Sequence, residues 1–114
     1  MYFVYMVQCT DGTYYTGITP DVCHRMQAHC AGKGAKYTRS HPIASLCALW
    51  RTEEKTAAAR LEYAIKKRLC REEKRKLIDN PSLLDVFFSH LADVEYTYVP
   101  NVTLEMCLQG EFHG

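Results

Sequence analysis

The first 20 residues carry the alternation of aromatic, β-branched and polar positions that is typical of strands. Residues 2–8, YFVYMVQ, and residues 14–18, YYTGI, flank a Thr-Asp-Gly-Thr break. Asp-Gly between two such runs favours a tight hairpin, because glycine tolerates the positive φ that the turn needs. We therefore expect two antiparallel strands, with Gly17 marking a bulge or a close approach to the backbone.

Helical spacing follows the hairpin. Asp21 is placed to cap a helix over residues 22–30, because its carboxylate can accept from the first free backbone N–H groups. Apolar residues recur every four positions along this segment, so we expect them to face the core: Val22, Met26 and Cys30.

The middle of the chain predicts a loop, a strand and two helices. Residues 31–42, AGKGAKYTRSHP, are expected to form a basic loop, and residues 43–50, IASLCALW, a buried strand. Thr52 is expected to cap the longest helix, residues 53–70, with a short basic helix over 71–79. The long helix has four apolar positions at core spacing: Ala58, Leu61, Ile65 and Leu69.

The character of the chain changes after Pro81. Residues 83–91, LLDVFFSHL, are expected to form a helix that packs on the core, and residues 95–99, EYTYV, a further strand. The order of elements indicates a small α+β domain, with a short, mostly antiparallel sheet and helices packed against it.

Composition narrows the class of protein. A chain of 114 residues with 47% hydrophobic residues fits one domain with a modest core, and it has no apolar run of about 20 residues that could span a bilayer. The first residues lack the pattern of a secretory signal. Six scattered cysteines without a CxxC pair predict reduced thiols in the cytoplasm rather than disulfides. A Cys/His metal or redox protein stays an alternative, with three candidate ligands: Cys23, His29 and Cys30.

The net charge of +1 conceals an uneven distribution. Residues 25–76 hold all 14 Lys and Arg residues against five acids, a net charge of +9, whereas residues 1–24 carry −2 and residues 77–114 carry −6. A basic middle between acidic ends indicates a polyanionic partner for the middle segment. A solvated helix face is the alternative explanation.

Four side chains near the hairpin could carry chemistry. Tyr5 and Tyr15 are expected to converge beside Gly17, unless they are ordinary half-buried strand tyrosines. Arg25 and His29 lie four apart on one helix face, where the guanidinium can bind phosphate oxygens and the imidazole can move a proton near neutral pH. An exposed Arg/His pair without a role is the alternative.

Glu62 and the basic loop complete the candidate set. Glu62 either pairs with Lys66 one helical turn later or holds one hard divalent cation. The loop GKGAKYTR is no Walker A motif, and its cations with an interleaved tyrosine fit nucleic acid better than a nucleotide. Together these groups suit phosphodiester hydrolysis. The predicted nucleic-acid contacts are Gly17, Lys33, Lys36, Tyr37 and Arg39, with Thr38 in the same loop.

In this order the residues resemble the GIY-YIG nuclease family. FVY at 3–5 stands where the family has GIY, and YTG at 15–17 where it has YIG. Arg25 follows Tyr15 by ten positions, His29 follows it by fourteen, and Glu62 lies on the later helix. The sequence is most similar to the small stand-alone bacterial branch of that family, the UPF0213-type proteins with a URI domain, over about residues 2–78.

The resemblance implies a fold with a three-stranded antiparallel sheet flanked by helices, here with an extra C-terminal segment. It implies a metal-dependent endonuclease that leaves a 5′-phosphate and a 3′-hydroxyl on single-stranded, branched or duplex DNA. Residues 1–80 would form this domain, and the acidic extension 81–114 would pack on or beside it. We expect a monomer or weak homodimer without a membrane partner.

The resemblance also implies a role for each matched side chain. Tyr5 and Tyr15 would be the paired tyrosines, one of which helps to deprotonate the attacking water. Arg25 would clamp the scissile phosphate, His29 would transfer a proton or contact phosphate, and Glu62 would be the one carboxylate on Mg²⁺ or Mn²⁺. A weakly catalytic nucleic-acid-binding or adaptor module on the same fold is the alternative.

Two motif positions depart from the family pattern. Phe3 replaces the glycine of GIY, and Thr16 replaces the isoleucine of YIG. No lysine follows Gly17, where some relatives have one, so Lys33 or Lys36 would have to supply that charge from the loop.

Overall fold

One antiparallel sheet of four strands organises the computed structural model, which describes residues 1–112. The strand order is β2-β1-β3-β4, with β1 at Tyr2–Cys9, β2 at Tyr14–Thr19, β3 at Ile43–Thr52 and β4 at Thr97–Tyr98. The helices are α1 (Val22–Cys30), α2 (Lys36–Ser40), α3 (Lys55–Arg68), α4 (Arg71–Asp79), α5 (Leu84–Phe87) and α6 (Leu104–Leu108). Short 3₁₀ turns occupy Pro81–Leu83 and Ser89–Leu91. The prediction of an α+β fold is confirmed.

The predicted hairpin joins β1 to β2. Gly12 has φ +86°, and its backbone N–H donates to the Cys9 carbonyl. The register pairs Tyr5 with Gly17 and Val7 with Tyr15. This pairing brings both candidate tyrosines to the same face of the sheet.

The sheet divides the core into two layers. On one face, α3 and α4 cover Val4, Met6 and Trp50. All four residues of the predicted α3 stripe are buried in this layer: Ala58, Leu61, Ile65 and Leu69. On the other face, α1 and α6 pack against Phe3 and Tyr5.

The sheet has one strand more than the family resemblance implies. Thr97 and Tyr98, within the segment predicted as a strand at 95–99, pair with Arg51 and Trp50 on the free edge of β3. An edge strand leaves backbone donors and acceptors unpaired, and β4 satisfies part of that edge. The expectation of three strands is therefore wrong for this chain.

Two local predictions are also wrong. The segment 31–42 is no plain loop, because α2 forms within it. Thr52 does not cap α3, whose N-cap is Glu54. The Thr52 side chain is buried, and its hydroxyl donates to the Glu95 carbonyl at 3.1 Å, which ties β3 to the segment before β4.

Residues 81–112 pass from one face of the sheet to the other. Leu84, Phe88 and Leu91 pack in the layer with α3 and α4. The chain then pairs with β3, and α6 packs against α1. There Gln27 Nε2 donates to the Cys107 carbonyl at 3.2 Å, and the rings of Phe3 and Phe112 meet edge to face. Among residues 1–112, no helix has the length and apolar character needed to cross a membrane.

The buried Thr16 hydroxyl predicts a stabilising substitution. Thr16 is 2% exposed, and its Oγ1 has no hydrogen-bond partner. We expect Thr16→Val to raise the free energy of unfolding by about 1 kcal/mol, because it removes a desolvated polar group without changing the shape of the side chain. Urea unfolding measures the change. In the control Thr19→Val, which loses the hydroxyl that donates to the Asp21 carbonyl, stability should fall; equal effects at both positions would contradict the argument.

The only tryptophan of the chain reports on the packing of residues 81–100. Trp50 is 1% exposed, and its ring centroid lies 5.8 Å from the ring centroid of Tyr98. A chain that ends at Asn80 should show red-shifted Trp50 fluorescence and a lower Tm, because its apolar cover is removed. A chain that ends at Pro100 is the control. It lacks residues 101–114, which include α6 on the opposite face, and should keep the original emission. Unchanged emission after truncation at Asn80 would show that this segment does not shield Trp50.

Candidate active site

Tyr5 lies at the centre of the candidate site. Its side chain is fully buried on the inner strand β1 and crosses the backbone of its register partner Gly17. A methyl group on Gly17 would overlap the Tyr5 hydroxyl. The close approach expected at Gly17 is thus made by Tyr5, and glycine is needed there for space rather than for its φ.

His29 meets Tyr5 from the last turn of α1. Its Nε2 lies 2.8 Å from the Tyr5 hydroxyl, and its Nδ1 lies 2.7 Å from Thr38 Oγ1. The imidazole is 3% exposed. A polar ring tolerates such burial because both of its nitrogens have partners.

The burial of His29 overturns two expectations. Val22, Met26 and His29 form the buried stripe of α1, whereas Cys30 is exposed. The prediction of Cys30 as a core position and the alternative of an exposed Arg/His pair are therefore wrong. Helical spacing allows either His29, seven residues after Val22, or Cys30, eight residues after it, to face the core. Tyr5 and Thr38 provide hydrogen-bond partners for an imidazole, and this favours His29.

The environment shifts both groups of the central hydrogen bond towards neutrality. Burial, aided by the nearby charge of Arg25, lowers the pKa of His29 to about 4. Burial raises the pKa of Tyr5 to about 12, and the hydrogen bond from Arg25 opposes this rise only in part. At pH 7 the site thus holds a neutral imidazole against a neutral phenol.

Arg25 approaches the same hydroxyl from one turn earlier on α1. Its Nε lies 3.4 Å from the Tyr5 hydroxyl, and the side chain is half-buried. The hydrogen bond to Tyr5 raises the pKa of the guanidinium above its ordinary value. With Nε directed to Tyr5, the terminal amino groups keep donors for an anion.

Tyr15 is surrounded by other aromatic rings. Its ring centroid lies 6.3 Å from Tyr5, 5.9 Å from His29 and 5.8 Å from Tyr37, which it faces at an interplanar angle of 14°. The ammonium group of Lys66 lies 5.2 Å from the Tyr15 centroid. This cation–π contact brings α3 to the edge of the site.

Glu62 lies beside this edge, one turn before Lys66. Its Oε2 is 3.4 Å from Lys66 Nζ, so the ion pair that was one of its two alternatives forms. The Glu62 side chain is 24% exposed, and its negative charge contributes to the raised pKa of Tyr5. The structure therefore brings Tyr5, Tyr15, Arg25 and His29 together. Glu62 lies at the margin of this group, where Lys66 contacts both Glu62 and Tyr15.

The basic segment, residues 31–42, lies next to these residues. The side chains of Lys33, Lys36 and Arg39 are exposed and form no ion pair within the described part of the chain. Tyr37 is 37% exposed, donates to Thr13 Oγ1 at 2.8 Å and stacks on His41 with a centroid distance of 4.0 Å. These contacts hold α2 against the hairpin.

Three residues contribute more than the sequence suggested. Thr38 reaches His29 from α2, Gly34 leaves room for the imidazole, since a methyl group there would overlap Nδ1, and Lys66 bridges Tyr15 and Glu62. The motif GKGAKYT marked this segment as unusual. The burial of Thr38 follows only from the formation of α2, which the two glycines and the proline of the segment concealed.

Residues 1–112 contain no group of three or more His, Cys, Asp and Glu side chains placed to hold a metal ion. Cys23, His29 and Cys30 do not converge: His29 faces Tyr5, Cys30 is exposed, and Cys23 donates from Sγ to the Phe112 carbonyl at 3.0 Å. A zinc site needs about four such ligands at one point. The alternative of a Cys/His metal centre thus lacks its ligand set.

Known proteins are similar in sequence to the part of the chain that carries these residues. A UPF0213 protein of Halalkalibacterium halodurans is 44% identical over 77 residues, which cover 68% of this chain and 81% of that protein. A UPF0213 protein of Halobacterium salinarum is 47% identical over 77 residues, covering 68% and 99%. The solution NMR structure of a UPF0213 protein from Bacillus halodurans is 44% identical, covers 69% of this chain and 84% of that chain, and superposes with a TM-score of 0.45.

The family model described as the GIY-YIG catalytic domain matches residues 1–76. This range includes both tyrosines, Arg25, His29 and Glu62. With the similarity to the UPF0213 proteins, the match shows that the chain belongs to the GIY-YIG family, a family of nucleases.

Proposed function

We propose that this chain is a metal-dependent endonuclease that hydrolyses phosphodiester bonds of DNA and leaves a 5′-phosphate and a 3′-hydroxyl. The observation that carries the proposal is the hydrogen bond between Tyr5 and His29, with the Arg25 guanidinium on the same hydroxyl. A group that can take a proton and a cation that can bind a phosphate thus meet at one oxygen atom.

In the proposed step, Tyr5 takes a proton from the attacking water as its own proton passes to His29. The water oxygen forms a bond to phosphorus, and the bond between phosphorus and the 3′ oxygen breaks. The 3′ oxygen keeps the bonding electron pair and takes a proton from solvent. The imidazole is uncharged at pH 7 and has a lone pair for the proton, while its low pKa makes the imidazolium short-lived. The terminal amino groups of Arg25 bind the phosphate oxygens and stabilise the charge that develops on them.

Glu62 fits a hard divalent cation. Its carboxylate is partly exposed, and its partner Lys66 is 38% exposed, so this ion pair is weak and can open at little cost. Mg²⁺ commonly keeps several waters and uses one or two carboxylates together with substrate phosphate, which requires few protein ligands. When bound, Mg²⁺ or Mn²⁺ would neutralise charge on the scissile phosphate.

The exposed cations of the basic segment supply the proposed binding surface. Lys33, Lys36 and Arg39 can neutralise phosphates on both sides of the cleaved bond. Tyr37 offers an exposed aromatic edge next to Tyr15, which suits contact with an unstacked base. Such contacts favour single-stranded or branched DNA among the possible substrates.

One observation favours the alternative of a weakly catalytic binding module. The Glu62 carboxylate is engaged by Lys66 rather than free. A protein that binds DNA by its basic segment but leaves this pair closed would bind without cleavage. Cleavage assays on labelled single-stranded, branched and duplex DNA with Mg²⁺ or Mn²⁺ distinguish the two functions.

The role of Glu62 predicts a selective loss of cleavage. Glu62→Gln keeps the size of the side chain and removes its charge, so we expect DNA cleavage in Mg²⁺ to fall by roughly 10²-fold or more, because the cation loses its protein ligand. DNA binding without metal should not weaken. Glu53→Gln, the same change at an exposed site before α3, is the control and should cleave like the unaltered protein. Equal residual cleavage by both variants would assign the activity to a contaminant or another mechanism.

The buried His29 predicts a dependence of stability on pH. Its pKa is about 4 in the folded protein and about 6.5 in the unfolded chain, so the unfolded chain binds more protons between these values. The contribution of the neutral His29 to the free energy of unfolding is complete above pH 6.5. It is lost as the pH falls towards 4, and the loss is about 3 kcal/mol at most. Urea unfolding at pH 7.5 and pH 4.5 measures the loss.

His29→Gln serves as the reference for that experiment, because it removes this titration and keeps the other ionisable groups. The loss of stability between the two pH values should be smaller in His29→Gln than in the unaltered protein. An equal loss in both would mean that His29 is not held neutral in the folded protein.

A further inference from the structure

We infer that Thr38 is a positioning residue for the proposed reaction: its hydroxyl holds His29 in the tautomer that carries hydrogen on Nδ1, so that Nε2 is free to take the proton of Tyr5. The inference rests on the proposed function for its catalytic consequence. The tautomer itself is a property of the free protein and can be tested independently.

The direction of the hydrogen bonds follows from the Ala35 carbonyl. A carbonyl oxygen can only accept, and Thr38 Oγ1 lies 3.0 Å from it, as its donor. A threonine hydroxyl has one hydrogen, so Thr38 must accept from its other neighbour, His29 Nδ1, at 2.7 Å. His29 therefore carries its hydrogen on Nδ1.

The backbone of α2 fixes this acceptor. The Ala35 carbonyl also accepts from the Arg39 N–H at 3.1 Å, the first hydrogen bond of that helix, and Thr38 is 2% exposed. The buried Thr38 hydroxyl cannot turn towards water to exchange partners. The His29 ring is held against Gly34, where even a methyl group would overlap Nδ1, and this close contact opposes a flip of the imidazole.

The consequence appears at Tyr5. With Nδ1 protonated, Nε2 has a free lone pair, so the Tyr5 hydroxyl donates to it across 2.8 Å and accepts from Arg25 Nε. The hydrogens then point in one direction, from Tyr5 to His29 to Thr38 to Ala35. A proton that reaches the Tyr5 oxygen from water can displace the phenol hydrogen onto Nε2, and the resulting imidazolium keeps its bond to Thr38.

The other tautomer would block this transfer. With hydrogen on Nε2, the Tyr5 oxygen would accept from both His29 and Arg25, and no base would be left to take the phenol proton. Thr38 thus decides whether His29 acts as a proton acceptor or as a second donor to Tyr5. The two tautomers differ only in which ring nitrogen carries the hydrogen, because the packing of the ring is the same in both.

The first test reads the tautomer directly. Long-range ¹H–¹⁵N correlation spectra of protein labelled at histidine nitrogens, recorded near pH 7.5, distinguish a protonated Nδ1 from a protonated Nε2. The chain has five histidines, so His29→Gln identifies the signal. We expect a protonated Nδ1 and a bare Nε2 for His29. A protonated Nε2 in the unaltered protein would overturn the inference whatever the protein cleaves.

The second test compares Thr38→Val with Thr38→Ser. Valine cannot accept from Nδ1, so we expect the His29 signals to shift to the other tautomer or to a mixture, and kcat to fall by roughly 10²-fold with little change in KM. Serine keeps the hydroxyl and should restore both the spectrum and kcat. An unchanged spectrum in Thr38→Val would refute the role of Thr38, and the spectrum of the unaltered protein decides the tautomer even where Thr38→Val does not fold.

Cleavage of DNA and the tautomer of His29 are separate outcomes. A chain with the expected tautomer but no cleavage of any DNA substrate would refute the proposed function and leave the inference about Thr38 and His29 intact. A nuclease whose His29 carries hydrogen on Nε2 would leave the proposed function standing and refute the inference.

Discussion

The hydrogen bond between the Tyr5 hydroxyl and His29 Nε2 is the contact on which the rest of the site depends. It joins the inner strand of the sheet to α1 in a position closed to water. Gly17 and Gly34 make room for the two rings, and Thr38 supplies the second partner of the imidazole. Hairpin register, helix phase and the loop before α2 must all be correct for this one bond to form.

The site separates neutral groups from charged groups. The phenol and imidazole lie inside, where burial keeps both uncharged, while Glu62 and Lys66 remain at the margin and Arg25 lies between the two zones. A proton that moves from Tyr5 to His29 creates an imidazolium in a poorly solvated place, where burial and the charge of Arg25 both disfavour it. A charged substrate can be held at the margin, where water and a cation have access. The arrangement thus keeps the uncharged pair behind a margin that a charged ligand can reach.

Patterns in the sequence were sufficient for most of the fold and for the expectation that Tyr5 and Tyr15 converge, with Arg25 and His29 beside them. The Asp-Gly hairpin, the α1 helix and the α3 stripe follow from local rules of spacing and turn chemistry. The pairing of β4 with β3 could not be foreseen, because it depends on which sheet edge lies open after folding. The burial of His29 was missed for a related reason. Helical phase alone does not choose between adjacent positions, and the choice here depends on distant partners, Tyr5 and Thr38, that can satisfy a buried imidazole.

The contacts of residues 81–112 with both faces of the sheet have a consequence for folding during synthesis. The hydrogen bond from Cys23 to Phe112 spans 89 positions, and α6 packs against the helix that carries Arg25 and His29. A ribosome must therefore complete nearly all of the described chain before α1 obtains its final packing. Before then the hairpin already has β3 and α3 as partners and His29 has Tyr5 and Thr38, so what stays open to solvent until late in translation is the side of α1 that α6 covers.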